Sequence, residues 1–250
     1  MGEPTMMYYF AEFIGCFLFV GAGYAYMASV NLKGTLVNKF EFLPCFLVWG
    51  IGLGSGVSVA IKLGSPACLN PAVALGKCLI GVISIQQMLG LWLAEFLGAG
   101  FSVALVMIFF WDNFKMSPDV PKAGFFSAKA TTVHLPMNFV QEIIASATFT
   151  SLLFIGLLNA SVTTGIGMLD VTMTGLLSLL WVGFSYSATG FSMNPMRSFF
   201  SSIWFTILPI PEKHDKVDWK YQIIVNVFGS TIGCIIAVLI EAWVKKQLGM

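Results

Sequence analysis

Few side chains here could do chemistry, and the informative ones come in pairs. Asn70–Pro71, in ACLNPAVAL, and Asn194–Pro195, in FSMNPMRSFF, interrupt stretches that are otherwise apolar. Shortly after the second pair comes Arg197, a permanent cation among Phe, Met and Ser. Asn is a favoured N-cap and Pro a favoured first helical residue, so each pair reads as the start of a helix. The segments so opened, 70–80 and 194–205, are too short to cross a bilayer and too apolar to be surface loops. A carboxylate precedes each of them, Glu12 in AEFIGCFLF and Glu142 in QEIIASATF. No nucleophile–base set accompanies these residues. Cys16, Cys45, Cys68, Cys78 and Cys234 are scattered without metal-ligand spacing and read as packing residues. The expectation is no catalytic residue, no metal, no cofactor and no enzyme.

The elements that must position these residues follow from composition. Of 250 residues 57% are apolar and only 10% charged, against about 25% charged in soluble domains. Spans of bilayer-crossing length fall near 6–30, 42–63, 85–111, 137–160, 172–189 and 221–244. Their continuous apolarity argues for helices and against a membrane β-barrel. The net charge of +1 gives no footprint for nucleic acid. One membrane domain, 1–250, is therefore expected, an all-α protein of six transmembrane helices and two re-entrant half-helices.

The halves, approximately 6–111 and 137–244, echo one another. Glu12 precedes Asn70 by 58 residues and Glu142 precedes Asn194 by 52. Three spans per half force the second half to sit inverted relative to the first, and interrupted segments at matching positions mark a site near the midplane. The two half-helices then meet head to head. Irregular backbone at that depth is tolerated only when buried in protein or lining a watery cavity. Each helix N-terminus carries roughly half a positive charge, and Arg197 adds a full one. Such a lumen rejects cations while its amides serve neutral hydrogen-bonding solutes.

Six spans with paired LNPAVAL and MNPMRS stretches resemble the aquaporin/aquaglyceroporin (major intrinsic protein) family over essentially the whole chain. The resemblance implies a passive channel whose pore centre holds Asn70, Pro71, Ala72, Asn194, Pro195 and Met196. It implies a selectivity constriction of Trp49, Phe191 and Arg197 with a fifth-helix contributor, Gly183 or Val182. Glu12 and Glu142 become structural supports that accept loop N–H groups. The chain departs from the family pattern at Met196, where Ala is usual, placing a thioether near the narrow region. Cys68 stands where His is usual, a possible lumen thiol, and Pro66 replaces a Gly.

A Trp–Gly–Phe–Arg ring is wide and apolar on one side with a donor on the other, which suits water plus small neutral solutes such as glycerol. Ser198, where glycerol facilitators commonly have Asp, points instead to a strictly water-selective channel. An ion-coupled secondary transporter would need ionisable residues along the path, and only Glu12, Glu95, Glu142 and Asp170 are available. The family implies a homotetramer in the lipid bilayer of the plasma membrane, with cytosolic termini. Lysines oppose that orientation. Lys62, Lys77, Lys245 and Lys246 lie on the side of the termini, while Lys33, Lys39, Lys115, Lys122, Lys129, Lys213, Lys216 and Lys220 lie opposite.

Overall fold

A computed structural model describes residues 4–38, 43–158, 165–183 and 186–250. All regular structure among them is helical. In chain order these are α1 (Met6–Asn31), α2 (Leu43–Lys62), α3 (Pro71–Leu79), α4 (Ile85–Phe109), α5 (Trp111–Lys115), α6 (Ala123–Phe126), α7 (Leu135–Gly156), α8 (Gly165–Val182) and α9 (Tyr186–Thr189). A π-helical segment, Met196–Phe200, then runs into α10 (Ser201–Ile207). After α11 (Trp219–Tyr221), a second π segment, Gln222–Gly229, continues into α12 (Ser230–Gln247). Among the described residues, five helices are long and apolar enough to cross a membrane: Met6–Asn31, Cys45–Lys62, Ile85–Phe109, Leu135–Gly156 and the composite Trp219–Leu248. The fifth span of the chain, α8, begins and ends about seven residues before the sequence-based boundaries of 172 and 189. Asp170 is why the early start was missed. It is exposed near the helix end, where one carboxylate can reach the interface.

The packing repeats from one half to the other. α1 lies against α2 and α4, while α7 lies against α8 and α12. Contacts between α2 and α8, and between α3 and α12, join the halves. Glycine permits two matching close approaches. A Cβ on Gly98 would stand 2.8 Å from the Phe13 carbonyl oxygen and 2.9 Å from Cys16 Cβ. On Gly233 it would stand 2.5 Å from the Ile143 carbonyl oxygen and 2.6 Å from Ser146 Cβ. Without such small residues the backbones could not approach, and in lipid close packing replaces the hydrophobic drive between helices.

The connections opposite the termini are tied down by their own polar groups. Lys213 Nζ donates to the carbonyls of Phe205 (2.7 Å), Thr206 (3.0 Å) and Leu208 (2.8 Å), closing the C-terminus of α10. Fully buried Lys122 donates to the Ser117 and Val120 carbonyls. Asp215 accepts the backbone N–H groups of Lys122 and Ala123 at the start of α6.

Candidate functional site

Two loops approach the membrane centre from opposite sides, and each enters its half-helix in the same way. The residues one and three before each asparagine have left-handed backbone, with φ of 46° and 45° at Ala67 and Leu69 and of 62° and 49° at Phe191 and Met193. None is glycine, so each position is strained by an amount on the order of 1 kcal/mol that its surroundings must offset. The offset is visible. Glu12 accepts the N–H of Leu69 and Glu142 the N–H of Met193, each at 2.5 Å. Glu12 also accepts from Ser65, and Glu142 from Ser146 at 3.3 Å.

Each asparagine then performs two tasks. Its oxygen caps the helix it precedes, with Ala72 N–H to Asn70 at 3.0 Å and Met196 N–H to Asn194 at 2.9 Å. Its amide nitrogen reaches across to the other loop. Asn70 Nδ2 donates to the Met193 carbonyl at 3.0 Å, and Asn194 Nδ2 to the Leu69 carbonyl at 2.7 Å. The two half-helices are thus locked reciprocally at their N-termini, with one amide proton of Asn194 left for the lumen.

A cavity of about 70 Å³ runs beside this lock, lined by Asn70, Asn194, Arg197, Trp49 and Phe191 together with aliphatic side chains of α2, α7 and α8. Cys68 lines it as well, although only 6% exposed. At one end the Arg197 guanidinium carbon stands 5.1 Å from the centre of the Trp49 ring. Arg197 is 5% exposed, and among the described residues it has no ion-pair partner; its Nη1 donates to Ser198 at 3.3 Å. Tyr24 fixes this corner from behind, its hydroxyl donating to the Arg197 carbonyl at 2.7 Å and its ring meeting Trp49 edge-on. The valine at the corresponding point of the first half-helix, Val73, lines the same cavity. Arg197 therefore makes the two ends electrostatically unequal.

Two residues stand elsewhere than the sequence suggested. Among the described α8 side chains the one at the cavity wall is Leu179, whereas Gly183 lies a turn further on, where a Cβ would stand 3.1 Å from the Phe46 ring. Counting back from Asn194 stops short, because the wall-lining position lies one turn earlier in α8. The Val182 side chain lies outside the described residues. Met196 is fully buried in the core, so its thioether packs behind the half-helix while its N–H is used in the cap. Pro71, Ala72 and Pro195 are likewise buried, as the first turn of each half-helix requires.

Sequence reasoning assigned no site role to Glu95, which supports Asn70 directly. It is fully buried on α4 and accepts the Asn70 N–H at 2.9 Å. Its other carboxyl oxygen, Oε2, is buried with no hydrogen-bond partner among the described residues. The signal was present, because AEFIG at 11–15 recurs as AEFLG at 94–98. Trp92 adds a further tie, Nε1 to the Pro71 carbonyl at 2.9 Å.

Comparison with known proteins agrees with this geometry. The chain is 31% identical to the glycerol uptake facilitator protein 2 of Lactiplantibacillus plantarum over 236 residues, covering 93% of this chain and 97% of that one. It is 32% identical to the D/L-lactic acid transporter of the same organism, covering 91% and 93%. In fold it resembles the X-ray structure of the aquaglyceroporin from Plasmodium falciparum, with a TM-score of 0.76 at 21% identity and 97% of both chains covered. The family model described as major intrinsic protein matches residues 4–241, and the chain belongs to that family.

Proposed function

We propose that this chain is a passive channel for water and small neutral polyols of the glycerol type, closed to ions and protons. The observation that carries the reading is the constriction. Trp49 and Phe191 present aromatic surface for the C–H edge of a polyol, and Arg197, stacked beside Trp49, adds donors for its hydroxyls. The glycerol facilitators among its relatives support the solute class. Leu179, the described α8 side chain at the cavity, is apolar, which favours the polyol over a strictly water-selective pore. Stopped-flow light scattering on proteoliposomes tests this. Both water and glycerol permeabilities should rise well above those of empty liposomes, and water flux without glycerol flux would leave the water-selective reading.

The chain works as one unit of two inverted halves, 6–111 and 137–244, in the plasma membrane. The family carries the expectation of a homotetramer with one passage per chain, and cross-linking in detergent tests it. We place both termini in the cytosol. Of the eight lysines opposing this orientation, at least four are engaged in the folded protein. Lys33 pairs with Asp119 at 2.5 Å and Lys129 with Asp218 at 2.9 Å. Lys122 and Lys213 are held by backbone carbonyls. Lys39 lies outside the described residues. Protease accessibility of the tails in sealed vesicles decides the orientation.

A further inference from the structure

Arg197 puts a fixed charge at one end of the lumen, and a second cation lies at the other. The lumen-lining Val73 is followed four residues later by Lys77, on the same face of α3. At the end of the bundle where α1 begins and α12 ends, a vestibule of about 320 Å³ is lined by Lys77, Glu241 and Lys245 among apolar walls. Val57, Ala67, Phe154 and Leu157 line both this vestibule and the central cavity, so the two adjoin. Lys77 Nζ is positioned there by the Pro66 carbonyl at 3.3 Å and stands 5.8 Å from the centre of the Phe154 ring.

The charges around it do not cancel it. Glu241 pairs with Lys245 at 2.6 Å, which leaves that couple neutral. Glu12 is committed to the Leu69 N–H and Ser65 behind the half-helix. Among the described residues no carboxylate comes within ion-pair distance of Lys77. The side chains that line the vestibule therefore sum to one positive charge, that of Lys77. We propose that Lys77 is a second charge-selectivity residue, guarding the mouth nearest the termini as Arg197 guards the other. A cation entering from that side meets repulsion before it reaches the half-helix termini, while a neutral solute is unaffected. The inference rests on reading the lumen as the solute passage, but its test needs no transport.

Ile61, a partly exposed residue of the same vestibule, supplies the reporter. In Ile61→Cys protein, the rates of modification by a negatively charged and a positively charged methanethiosulfonate are compared by peptide mass. With Lys77 present the ratio should favour the anionic reagent, and Lys77→Met should lower it about tenfold, the scale of one charge several ångströms away at a half-wet site. Lys77→Arg should restore the ratio, and added salt should shrink the difference. A ratio unchanged among Lys77, Lys77→Met and Lys77→Arg overturns the proposal. So does an equal loss in Lys77→Met and Lys77→Arg, which would mark distortion of the mouth rather than lost charge. Failure of glycerol transport with the expected ratio intact would refute the solute assignment alone.

Discussion

Replacing Arg197 with valine gives both half-helices the same residue three places after the asparagine, since Val73 already occupies that position in the first. The substitution removes the one full charge at the constriction and leaves the asparagine lock and both helix dipoles in place. A cation passing beside the Arg197–Trp49 pair, whose guanidinium carbon and ring centre stand 5.1 Å apart in cation–π contact, comes within about 5 Å of the charge. At an effective dielectric constant of about 20 the repulsion is roughly 3 kcal/mol, or about two orders of magnitude in rate. Each half-helix still presents roughly half a charge, so rejection falls without vanishing. The expected outcome is water permeability within a few-fold of the native channel, with a proton or small-cation leak raised by up to about a hundredfold. A pH-sensitive dye inside proteoliposomes reads the leak, and light scattering on the same vesicles reads water. Intact cation exclusion with intact water flux would refute the reasoning, making Arg197 structural and leaving rejection to the dipoles alone.

Two further substitutions probe the supports around Asn70. Glu95→Gln keeps an acceptor for the Asn70 N–H, so stability and water flux should hold. Glu95→Leu leaves that buried N–H unpaired, and unfolding assays should register a loss of about 1–3 kcal/mol together with reduced flux; equal behaviour of the two variants would remove Glu95 from the support of the pore. A mercurial should block water flux in the native channel through Cys68, which lines the cavity, and Cys68→Ser should abolish the block. Inhibition that survives Cys68→Ser would assign it to another thiol, with half-exposed Cys78 the first to examine.

Local signals in the chain were strong where a single residue type has one structural use. Asn followed by Pro specifies a cap and a first turn together, and both asparagines accept the N–H two residues on. An early glutamate in an apolar helix has to be neutralised or hydrogen-bonded, and Glu12 and Glu142 meet that need through the loop N–H groups. Positions fixed only by tertiary geometry were not legible. The α8 contributor depends on where that helix stops, which its apolar sequence leaves open by several residues, and so Leu179 rather than Gly183 reaches the wall. Glu95 was visible as a charge, but its use was not, because it breaks the inverted symmetry. The first half-helix is held by two carboxyls, and the position on α12 that packs like Glu95 on α4 is Ser230, three residues before Gly233 as Glu95 is before Gly98. The same asymmetry separates Val73 from Arg197 and leaves Lys77 without a counterpart among the cavity-lining residues of the second half-helix. Duplication gives a pore two like halves and hence one field profile read from either side. Arg197 and Lys77, which depart from it, make the two mouths different, each in a way that a substitution toward the other half can reverse.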